Sequence, residues 1–274
     1  MRGFTLIEVT LSLVLMAILL LGIGRIVSFS SEIYLDMRER NQLLTQSRFV
    51  VERLKRELAN AVPNSTRVLR DNSLDFECVE FLPIVSSGRY LDLPIVPDAV
   101  SNAGEGFVPQ DYSCSSCGDF FIVYPTDASQ LYASVTTDGG RRQELADMTT
   151  SGNEANFTFD TNVRFGLESP RRRFYITDSP VSFCLLNGQI RRYAGYGYNA
   201  TQSLPALANS VLMAESVNLD FSAGALSVFT LFSGAGLNAS RLVGQLAFAR
   251  QSALESLTPE PLVFNLEVVI GNAP

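Results

Sequence analysis

An apolar segment close to the N-terminus limits how this chain can fold. Residues 4–24 contain a single charged side chain, that of Glu8. A helix of this length spans about 30 Å, the thickness of the hydrocarbon core of a bilayer. A secretory signal peptide would end in a small-residue cleavage site, and no Ala-x-Ala-like site follows Gly24. We therefore expect the segment to remain in the mature protein as a membrane-spanning helix over residues 4–28, with Arg2 on the cytoplasmic side.

Glu8 lies inside this apolar segment, in its first predicted turn. An ionisable residue at membrane depth is costly, and its presence indicates a function that involves a charged partner. The surrounding motif, residues 3–8 with the sequence GFTLIE, closely resembles the processing signature of type IV prepilins and of type II secretion pseudopilins. The resemblance implies that residues 1–3 are a leader, which a prepilin peptidase removes between Gly3 and Phe4, and that Phe4 is then methylated. It also implies that Glu8 pairs with the N-terminal amine of a neighbouring subunit. The alternative is an uncleaved signal anchor, in which Glu8 only favours the helix N-terminus.

The helix is predicted to continue beyond the membrane as an amphipathic segment over residues 29–62. Apolar residues recur in it at heptad-like spacing. They are Ile33, Met37, Leu44, Val51, Leu54 and Leu58, with Leu43 and Val50 beside them. Pro63 pushes Val62 toward an extended conformation, so the helix should end near Ala61. The apolar stripe predicts packing on the domain that follows, and a free coiled coil is the alternative.

After Pro63 the helical period gives way to short alternating or apolar runs, which are typical of strands. The predicted strands cover residues 74–78, 120–124, 181–186, 189–193, 217–221, 226–232, 242–248 and 263–270. Asn187 and Gly188 separate two of them and are the strongest hairpin signal in the chain. Residues 86–113 and 138–156 are polar and rich in Gly, Ser, Asp and Asn, which predicts loops. One long helix followed by many strands predicts an α+β fold, with the helix packed on an antiparallel sheet domain over residues 63–274.

The chain is similar to a narrower group within the same family. The helix end at residues 53–65 and the large C-terminal domain resemble the larger minor pilins and the J-type minor pseudopilins of type II secretion. The hairpin at residues 183–198 and the ending at 271–274 resemble the O-type minor pilin of mannose-sensitive haemagglutinin (MSHA) pilus systems. This resemblance implies a pilin-like fold and a single-pass protein of the bacterial inner membrane, with a periplasmic C-terminal domain that later joins a pilus or pseudopilus near its tip.

The same resemblance implies a set of partners and no cofactor. The partners are other minor pilins or pseudopilins, the major pilin, the prepilin peptidase, the inner-membrane assembly platform and the membrane itself. The K-type tip pseudopilins commonly lack the glutamate, so Glu8 implies a subunit that lies beneath another one.

The amino-acid composition restricts the chemistry that the chain can perform. The sequence contains no histidine, so a Ser–His–Asp site, a Cys–His site and a His-ligated metal centre are all excluded. Lys55 is the only lysine, and it does not belong to a phosphate-binding Gly-Lys-Ser or Gly-Lys-Thr motif. We therefore expect no enzymatic activity. The net charge of −7 also disfavours a broad nucleic-acid-binding surface.

Four cysteines, Cys78, Cys114, Cys117 and Cys184, are an even number, which favours disulfides in an exported chain. Cys114 and Cys117 are separated by two serines and could instead form half of a zinc site or a redox motif. A zinc knot normally has a second close pair, which is absent here, so we expect no metal. The tight spacing favours pairing of Cys114 and Cys117 with the two distant cysteines, and a local bridge remains the alternative.

Two further clusters have both a functional and a structural interpretation. The arginine runs at residues 171–173 and 191–192 are predicted to lie on neighbouring strands, either as a basic patch for DNA or, as we favour, as solvated strand faces paired with acidic residues. Tyr193, Tyr196 and Tyr198 follow the predicted hairpin. They either form a protein interface or complete a strand and its turn.

These observations lead to two hypotheses of function. The first is a minor pilin that joins a tip complex and helps to initiate or support assembly of a type IV, MSHA-type pilus or of a type II secretion pseudopilus. The second is a tip adhesin, a module that binds a surface or a glycan in a pocket formed by residues 86–113 or 138–156. A membrane-anchored enzyme is disfavoured because histidine and the usual catalytic motifs are absent.

Overall fold

The computed structural model describes residues 5–109, 111–218, 220–222, 225–232, 240–249 and 261–271. Gly3 and Phe4, the predicted processing site, lie outside the described residues, as do residues 272–274 of the C-terminal ending. The chain divides into two units, Met1–Gln46 and Ser47–Pro274.

A single helix, α1, extends over Leu6–Ala59 and continues through the two glycines of the apolar segment. In the first unit its apolar side chains from Leu6 to Met37 are exposed on every side, from 41% at Ile33 to 86% at Leu6, whereas Leu43 and Leu44 are half-buried. Among the described residues it is the one helix long and apolar enough to cross a membrane. The first unit therefore has the form of a single-pass membrane anchor.

The last turns of α1 belong to the second unit and are buried along one face. The buried residues of this face are Ser47, Val50, Val51, Leu54 and Leu58. The predicted stripe is thus confirmed for its C-terminal half and wrong for Ile33 and Met37, which are 41% and 61% exposed. Those two residues lie in the first unit, where the helix has no buried face.

The second unit is built mainly from strands. Their bounds are β1 Arg67–Asp71, β2 Phe76–Phe81, β3 Ser86–Asp92, β4 Ser101–Phe107, β5 Ser115–Val123, β6 Asp138–Gly140, β7 Arg142–Ser151, β8 Glu154–Phe165, β9 Arg173–Thr177, β10 Val181–Leu186, β11 Gln189–Ala194, β12 Ser210–Ala214, β13 Phe229–Phe232, β14 Ser240–Phe248 and β15 Leu262–Ile270. A short helix, α2, covers Ala128–Tyr132, and a single 3₁₀ turn covers Leu207–Asn209. The α+β class is confirmed.

The strands form two open sheets and a closed barrel. One antiparallel sheet has the order β1-β2-β10-β11-β12, and a second has the order β13-β14-β15. Six strands in the order β4-β3-β9-β5-β7-β8 close into an antiparallel barrel, because β8 also pairs with β4, and β6 adds to β8 in parallel. The barrel departs from the simple antiparallel sheet that the pilin-like prediction implies.

The barrel interior is filled by phenylalanine side chains. Phe121 lies at its centre, with ring centroids 4.5 Å from Phe174 and 5.0 Å from Phe157. Phe159 and Phe165 complete the cluster, and all five rings are buried. A six-stranded barrel encloses little more space than its own side chains occupy. The interior is therefore a hydrophobic core and offers no ligand cavity.

The hairpin predicted at Asn187 and Gly188 is confirmed. Strands β10 and β11 pair up to Leu186 and Gln189, so the two residues between them form the turn. Asn187 has φ of 51° and Gly188 has φ of 70°. Positive φ at both central residues is the requirement of a type I′ turn, whose twist matches that of the strands.

Two other strand predictions need correction. The run at residues 74–78 was expected to be half-buried, but β2 begins at Phe76 and is buried at every position, whereas Leu74 is exposed in the preceding turn. The reason is that β2 lies inside the sheet, between β1 and β10. Residues 217–221 form no strand among the residues described, although Val217 makes an isolated bridge with Phe248.

The two segments predicted to be loops are largely strands. β3 and β4 lie within residues 86–113, and β6, β7 and the start of β8 lie within residues 138–156. A Cβ atom on Gly104 would stand 2.5 Å from the Leu93 side chain, which shows how closely the backbone approaches its neighbours there. Glycine within a strand permits such an approach. The glycine-rich composition of residues 86–113 therefore reflects tight packing as well as turns.

Gly106 on β4 provides a test of this interpretation. A Cβ atom there would lie 2.8 Å from the carbonyl oxygen of Arg89, 2.8 Å from the Phe157 ring and 3.1 Å from the Cα of Tyr90. Backbone atoms cannot rotate away, so we expect Gly106→Ala to lower the free energy of unfolding by about 1–3 kcal/mol. Denaturant unfolding of the purified chain measures the effect. Gly271→Ala is the matched control, because no atom lies within 4 Å of a Cβ there. Equal stability of the two variants would contradict the interpretation.

Candidate functional site

The N-terminus of α1 places Glu8 in a defined orientation. The backbone N–H and the hydroxyl of Thr5 both donate to Oε2 of Glu8, each at 3.1 Å. The carbonyl oxygen of Thr5 accepts from the N–H groups of Glu8 and Val9, at 3.1 and 3.3 Å. Thr5 therefore stands at the start of the helix, and the glutamate three residues later reaches back to its N–H, which is half of a capping box. This contact fixes the side chain of Glu8 without the help of any other subunit.

Thr5 is a residue whose role the sequence reasoning missed. The signal was present, because Thr-x-x-Glu directly before an apolar run is a known mark of a helix N-terminus. A carboxylate is also favoured at this end of a helix, where the unpaired N–H groups create a positive potential. The local fold thus orients the carboxylate of Glu8 at the N-terminus of the helix.

One oxygen of Glu8 remains available. Both contacts from Thr5 reach Oε2, and within the described part of the chain Oε1 has no hydrogen-bond partner. The Glu8 side chain is exposed, and its neighbours along the helix are apolar and exposed too: Leu6 by 86%, Ile7 by 73% and Leu11 by 63%. A carboxylate can accept several hydrogen bonds at each oxygen. The site is therefore a carboxyl group held in one orientation on an apolar surface, suited to a hydrogen-bond donor.

Within the described part of α1, no other charged residue lies near Glu8. The next charged residue along the helix is Arg25, seventeen positions further on, or about 25 Å at the helical rise. Across the described residues, no group of three or more His, Cys, Asp or Glu side chains is arranged to hold a metal ion.

The four cysteines form two disulfides. Cys78 on β2 lies directly opposite Cys184 on β10, with 4.1 Å between their Cα atoms, and both are fully buried. Cys114 bonds to Cys117, with 5.4 Å between Cα atoms. The prediction of disulfides is confirmed, and none of the four thiols is free.

The favoured pairing of Cys114 and Cys117 with the distant cysteines is wrong. The two pairs belong to different parts of the second unit, since β2 and β10 lie in the five-stranded sheet and β5 lies in the barrel. A local bridge is possible because Ser116 and Gly118 have positive φ, 57° and 69°, which turns the chain sharply. Only the register of the strands reveals this arrangement.

Two buried carboxylates in β2 hold neighbouring segments in place. Glu77 is fully buried and accepts from Arg70 Nη1 at 3.1 Å and from the Ser227 hydroxyl at 2.7 Å. It also accepts from the N–H groups of Val228 and Phe229, at 3.1 and 2.6 Å. Four donors satisfy this carboxylate, so burial of its charge is compensated. Glu77 thus attaches the segment that leads into β13 to the five-stranded sheet.

Glu80 plays a similar part at the other end of β2. It forms an ion pair with Arg67 and accepts from the Tyr196 hydroxyl at 2.8 Å. Arg67 in turn donates to the carbonyl oxygens of Asn199 and Ala200, at 2.7 and 2.8 Å. These contacts attach residues 196–200 to the sheet. Both buried glutamates are occupied by structural partners, so neither is a candidate catalytic group.

The two arginine runs do not lie on neighbouring strands. Arg173 begins β9 in the barrel, whereas Arg191 and Arg192 lie on β11 in the five-stranded sheet. Arg192 forms an ion pair with Glu57 of α1 at 2.9 Å, and Arg172 pairs with Glu168 at 3.3 Å. Pairing with acidic residues is thus confirmed for both arginines, but only Arg192 lies on a strand, because Arg172 precedes β9.

The tyrosine cluster packs inside the second unit. Tyr193 is buried, and Tyr196 lies 2.6 Å from the Ser182 hydroxyl as well as against Glu80. Tyr198 stacks on the guanidinium of Arg142, which lies 3.6 Å from the ring centroid. Burial raises the pKa of Tyr198 to about 12 and also raises the pKa of Tyr196, so both hydroxyls stay protonated at neutral pH. The interpretation as a strand and its turn is supported, and these contacts occupy the rings internally.

Arg142 is a buried residue that sequence reasoning did not single out. Its guanidinium lies 4.4 Å from the Phe120 ring centroid and donates to the Ala133 carbonyl oxygen at 2.9 Å. Burial lowers the pKa of its guanidinium, and the stacked rings offset part of the cost of burying the charge. Arg142 therefore connects the barrel to α2 and to the segment that contains Tyr198.

No protein-family model, curated protein or solved structure matches this chain. The position of Glu8 on the exposed apolar helix is therefore the observation on which a function can be based.

Proposed function

We propose that this chain is a minor pilin or pseudopilin, processed at its N-terminus and assembled with other subunits through its apolar helix. The observation that carries the proposal is the carboxylate of Glu8, which Thr5 holds at the first turn of an exposed apolar helix. Glu8 is the last residue of the motif GFTLIE at residues 3–8, which resembles the processing signature of prepilins. A charge at this depth of a membrane needs a partner, and the cleavage that the motif implies creates one.

The proposed partner is the amine of Phe4 in a neighbouring subunit. Cleavage after Gly3 would leave Phe4 with a free amine, a cationic donor of several hydrogen bonds. The available Oε1 of Glu8 accepts from it, while Thr5 continues to hold Oε2. Pairing compensates both charges in an apolar environment, where either charge alone would be costly. It also sets the register of one helix against the next, since a displaced helix leaves both groups unpaired.

The exposed surface of α1 in the first unit agrees with such assembly. Lipid tails cover its apolar side chains while the protein remains in the membrane, and helices of other subunits cover them in a filament. Both environments are apolar, so transfer of the helix from lipid to filament involves little hydrophobic driving force. Helix packing and the Glu8 contact then decide whether the subunit assembles. The second unit contributes a folded domain whose barrel is filled and whose buried carboxylates are saturated, in keeping with a non-enzymatic role.

More specifically, we propose that the subunit belongs to the tip complex of an MSHA-type pilus or of a type II secretion pseudopilus. It rests on the resemblance of the sequence to O-type minor pilins and J-type minor pseudopilins. The proposed partners are other minor pilins, the major pilin, the prepilin peptidase and the inner-membrane platform. The alternative is a tip adhesin that binds a surface or a glycan through residues 86–113 or 138–156, which contain β3, β4 and β7 of the barrel wall.

Processing at the N-terminus tests the proposal directly. Co-expression with a prepilin peptidase is expected to yield a mature chain that begins at methylated Phe4, and Gly3→Val is expected to abolish cleavage because the peptidase must accommodate the residue before the cut. Intact mass spectrometry measures both. Gly24→Val is the control, since it alters a glycine of the same segment outside the motif. Cleavage after Gly24, or a chain that keeps residues 1–3 in the presence of the peptidase, would overturn the assignment.

A further inference from the structure

Strand β15 forms a long and regular sheet edge. It is the outer strand of the three-stranded sheet and pairs with β14 at all nine of its positions, from Leu262 opposite Phe248 to Ile270 opposite Ser240. Its ladder with β14 contains no register shift, and its other side pairs with no strand in the described part of the chain. Among the described residues, its backbone groups on that side are therefore available to another strand.

This edge lacks the features that normally protect edge strands from pairing. Natural edges are short, bulged, or carry proline, lysine or uncompensated charges. β12, at the edge of the five-stranded sheet, is bulged and pairs with β11 at only four positions. β15 contains no proline or basic residue, and its one charge, Glu267, is paired with Arg241 at 3.2 Å. Its outward face also exposes Val263 by 51% and Val269 by 57%. A flat edge with exposed valines favours the addition of a strand.

We propose that β15 pairs with β15 of a second copy of this chain, antiparallel and about a twofold axis at Leu266. Side chains alternate between the faces of a strand, so pairing that keeps the two sheet faces continuous must place outward residues opposite outward residues. A twofold axis at a residue satisfies this condition, whereas an axis between two residues does not. An axis at Leu266, the central residue of β15, is the one that pairs all nine positions.

The side chains agree with this register. On the outward face, Val263 lies opposite Val269 of the second copy, and Asn265 lies opposite Glu267 of the second copy. An axis moved by one residue, to Glu267, shifts the register by two residues and would place the two Glu267 carboxylates directly opposite each other, which is unfavourable. On the inward face, Leu266 lies opposite Leu266 of the second copy, and Phe264 lies opposite Val268 of the second copy. The edge is therefore complementary to itself at its apolar positions, and each Glu267 carboxylate faces an asparagine amide that can donate to it.

Charge substitutions at Asn265 test the pairing in the full-length chain, purified in detergent. The wild type is expected to be a dimer by native mass spectrometry and by light scattering. Asn265→Glu places a carboxylate opposite Glu267 of the second copy at two symmetric positions and is expected to raise the dissociation constant about tenfold or more. Asn265→Lys creates two opposite-charge pairs instead and is expected to leave the dimer at least as stable. Gln245→Glu is the matched control, because Gln245 faces Asn265 one strand away from the edge.

A cysteine cross-link tests the register. Native cysteines are all in disulfides, so an added thiol is unique. Oxidation of a mixture of Asn265→Cys and Glu267→Cys chains is expected to give a mixed disulfide dimer, and either variant alone is expected to give much less. A monomeric wild type overturns the proposal. So does a dimer that Asn265→Glu does not weaken, since association would then occur through the apolar helix or another surface. Neither outcome depends on whether the chain is a pilin.

Discussion

Replacing Glu8 by valine is expected to leave processing and membrane insertion intact and to reduce incorporation into filaments or tip complexes strongly. Neither cleavage nor insertion needs the charge, and valine suits the apolar helix better than glutamate does. Assembly of the variant would leave the neighbour's amine buried without its partner. Removal of one member of a buried ion pair costs about 3–5 kcal/mol, which corresponds to a reduction of a hundredfold or more in the association constant.

Two further variants separate charge pairing from helix capping. Glu8→Gln keeps an oxygen that accepts one hydrogen bond from an amine, so its defect is expected to be milder. Thr5→Val removes the hydroxyl that donates to Oε2 but retains the backbone N–H, and is expected to weaken assembly less than Glu8→Val. Cleavage assays and the yield of each variant in sheared filaments or purified tip complexes provide the measurement. Normal assembly of Glu8→Val would refute charge pairing and place this subunit at the very tip, with no subunit above it.

Replacing Glu77 by alanine is expected to destabilise the second unit by about 3–5 kcal/mol. The substitution leaves the Arg70 guanidinium, the Ser227 hydroxyl and the N–H groups of Val228 and Phe229 without their shared acceptor. A buried donor that loses its acceptor retains the full cost of desolvation. For a domain of this size, the change lowers the melting temperature by roughly 10 °C.

The comparison with an exposed ion pair makes this test specific. Glu168 pairs with Arg172 on the surface, where both side chains are more than half exposed, and Glu168→Ala is expected to change stability by less than about 1 kcal/mol. Glu77→Gln is expected to lie between the two, because its amide oxygen still accepts from part of the cluster. Urea unfolding of the three variants, monitored by circular dichroism, gives the free energies. A Glu77→Ala variant as stable as Glu168→Ala would show that the buried cluster contributes little to the fold.

The parts of the fold that depend on neighbouring residues in the sequence were predictable. The turn at Asn187 and Gly188 follows from their tolerance of positive φ, and the buried face at Val50, Leu54 and Leu58 follows from helical spacing. Glu8 was recognised because a charge inside an apolar segment is unusual whatever surrounds it. Its contact with Thr5 could also have been predicted, since the two residues are a single helical turn apart.

The parts that depend on strand register were not predictable. Glycine and polar residues in residues 86–113 have the composition of a loop, and only the approach of Leu93, Tyr90 and Phe157 to the backbone of β4 explains why they form a strand. The pairing of Cys78 with Cys184 likewise follows from the register of β2 against β10, between residues 106 positions apart in the chain. Sequence spacing contains no information on such a register.

The division between these two groups has a physical origin. Helix propensity, hydropathy and turn preference arise from interactions within a few residues, so the apolar helix, its first-turn glutamate and the β-rich nature of the domain can be read along the chain. Contacts between distant segments close the barrel between β4 and β8. They also bury Glu77 among donors from residues 70 and 227–229 and set the pairing of β15 with β14. Those contacts are selected by the packing of the whole unit, because each becomes favourable only when the surrounding strands are already in place.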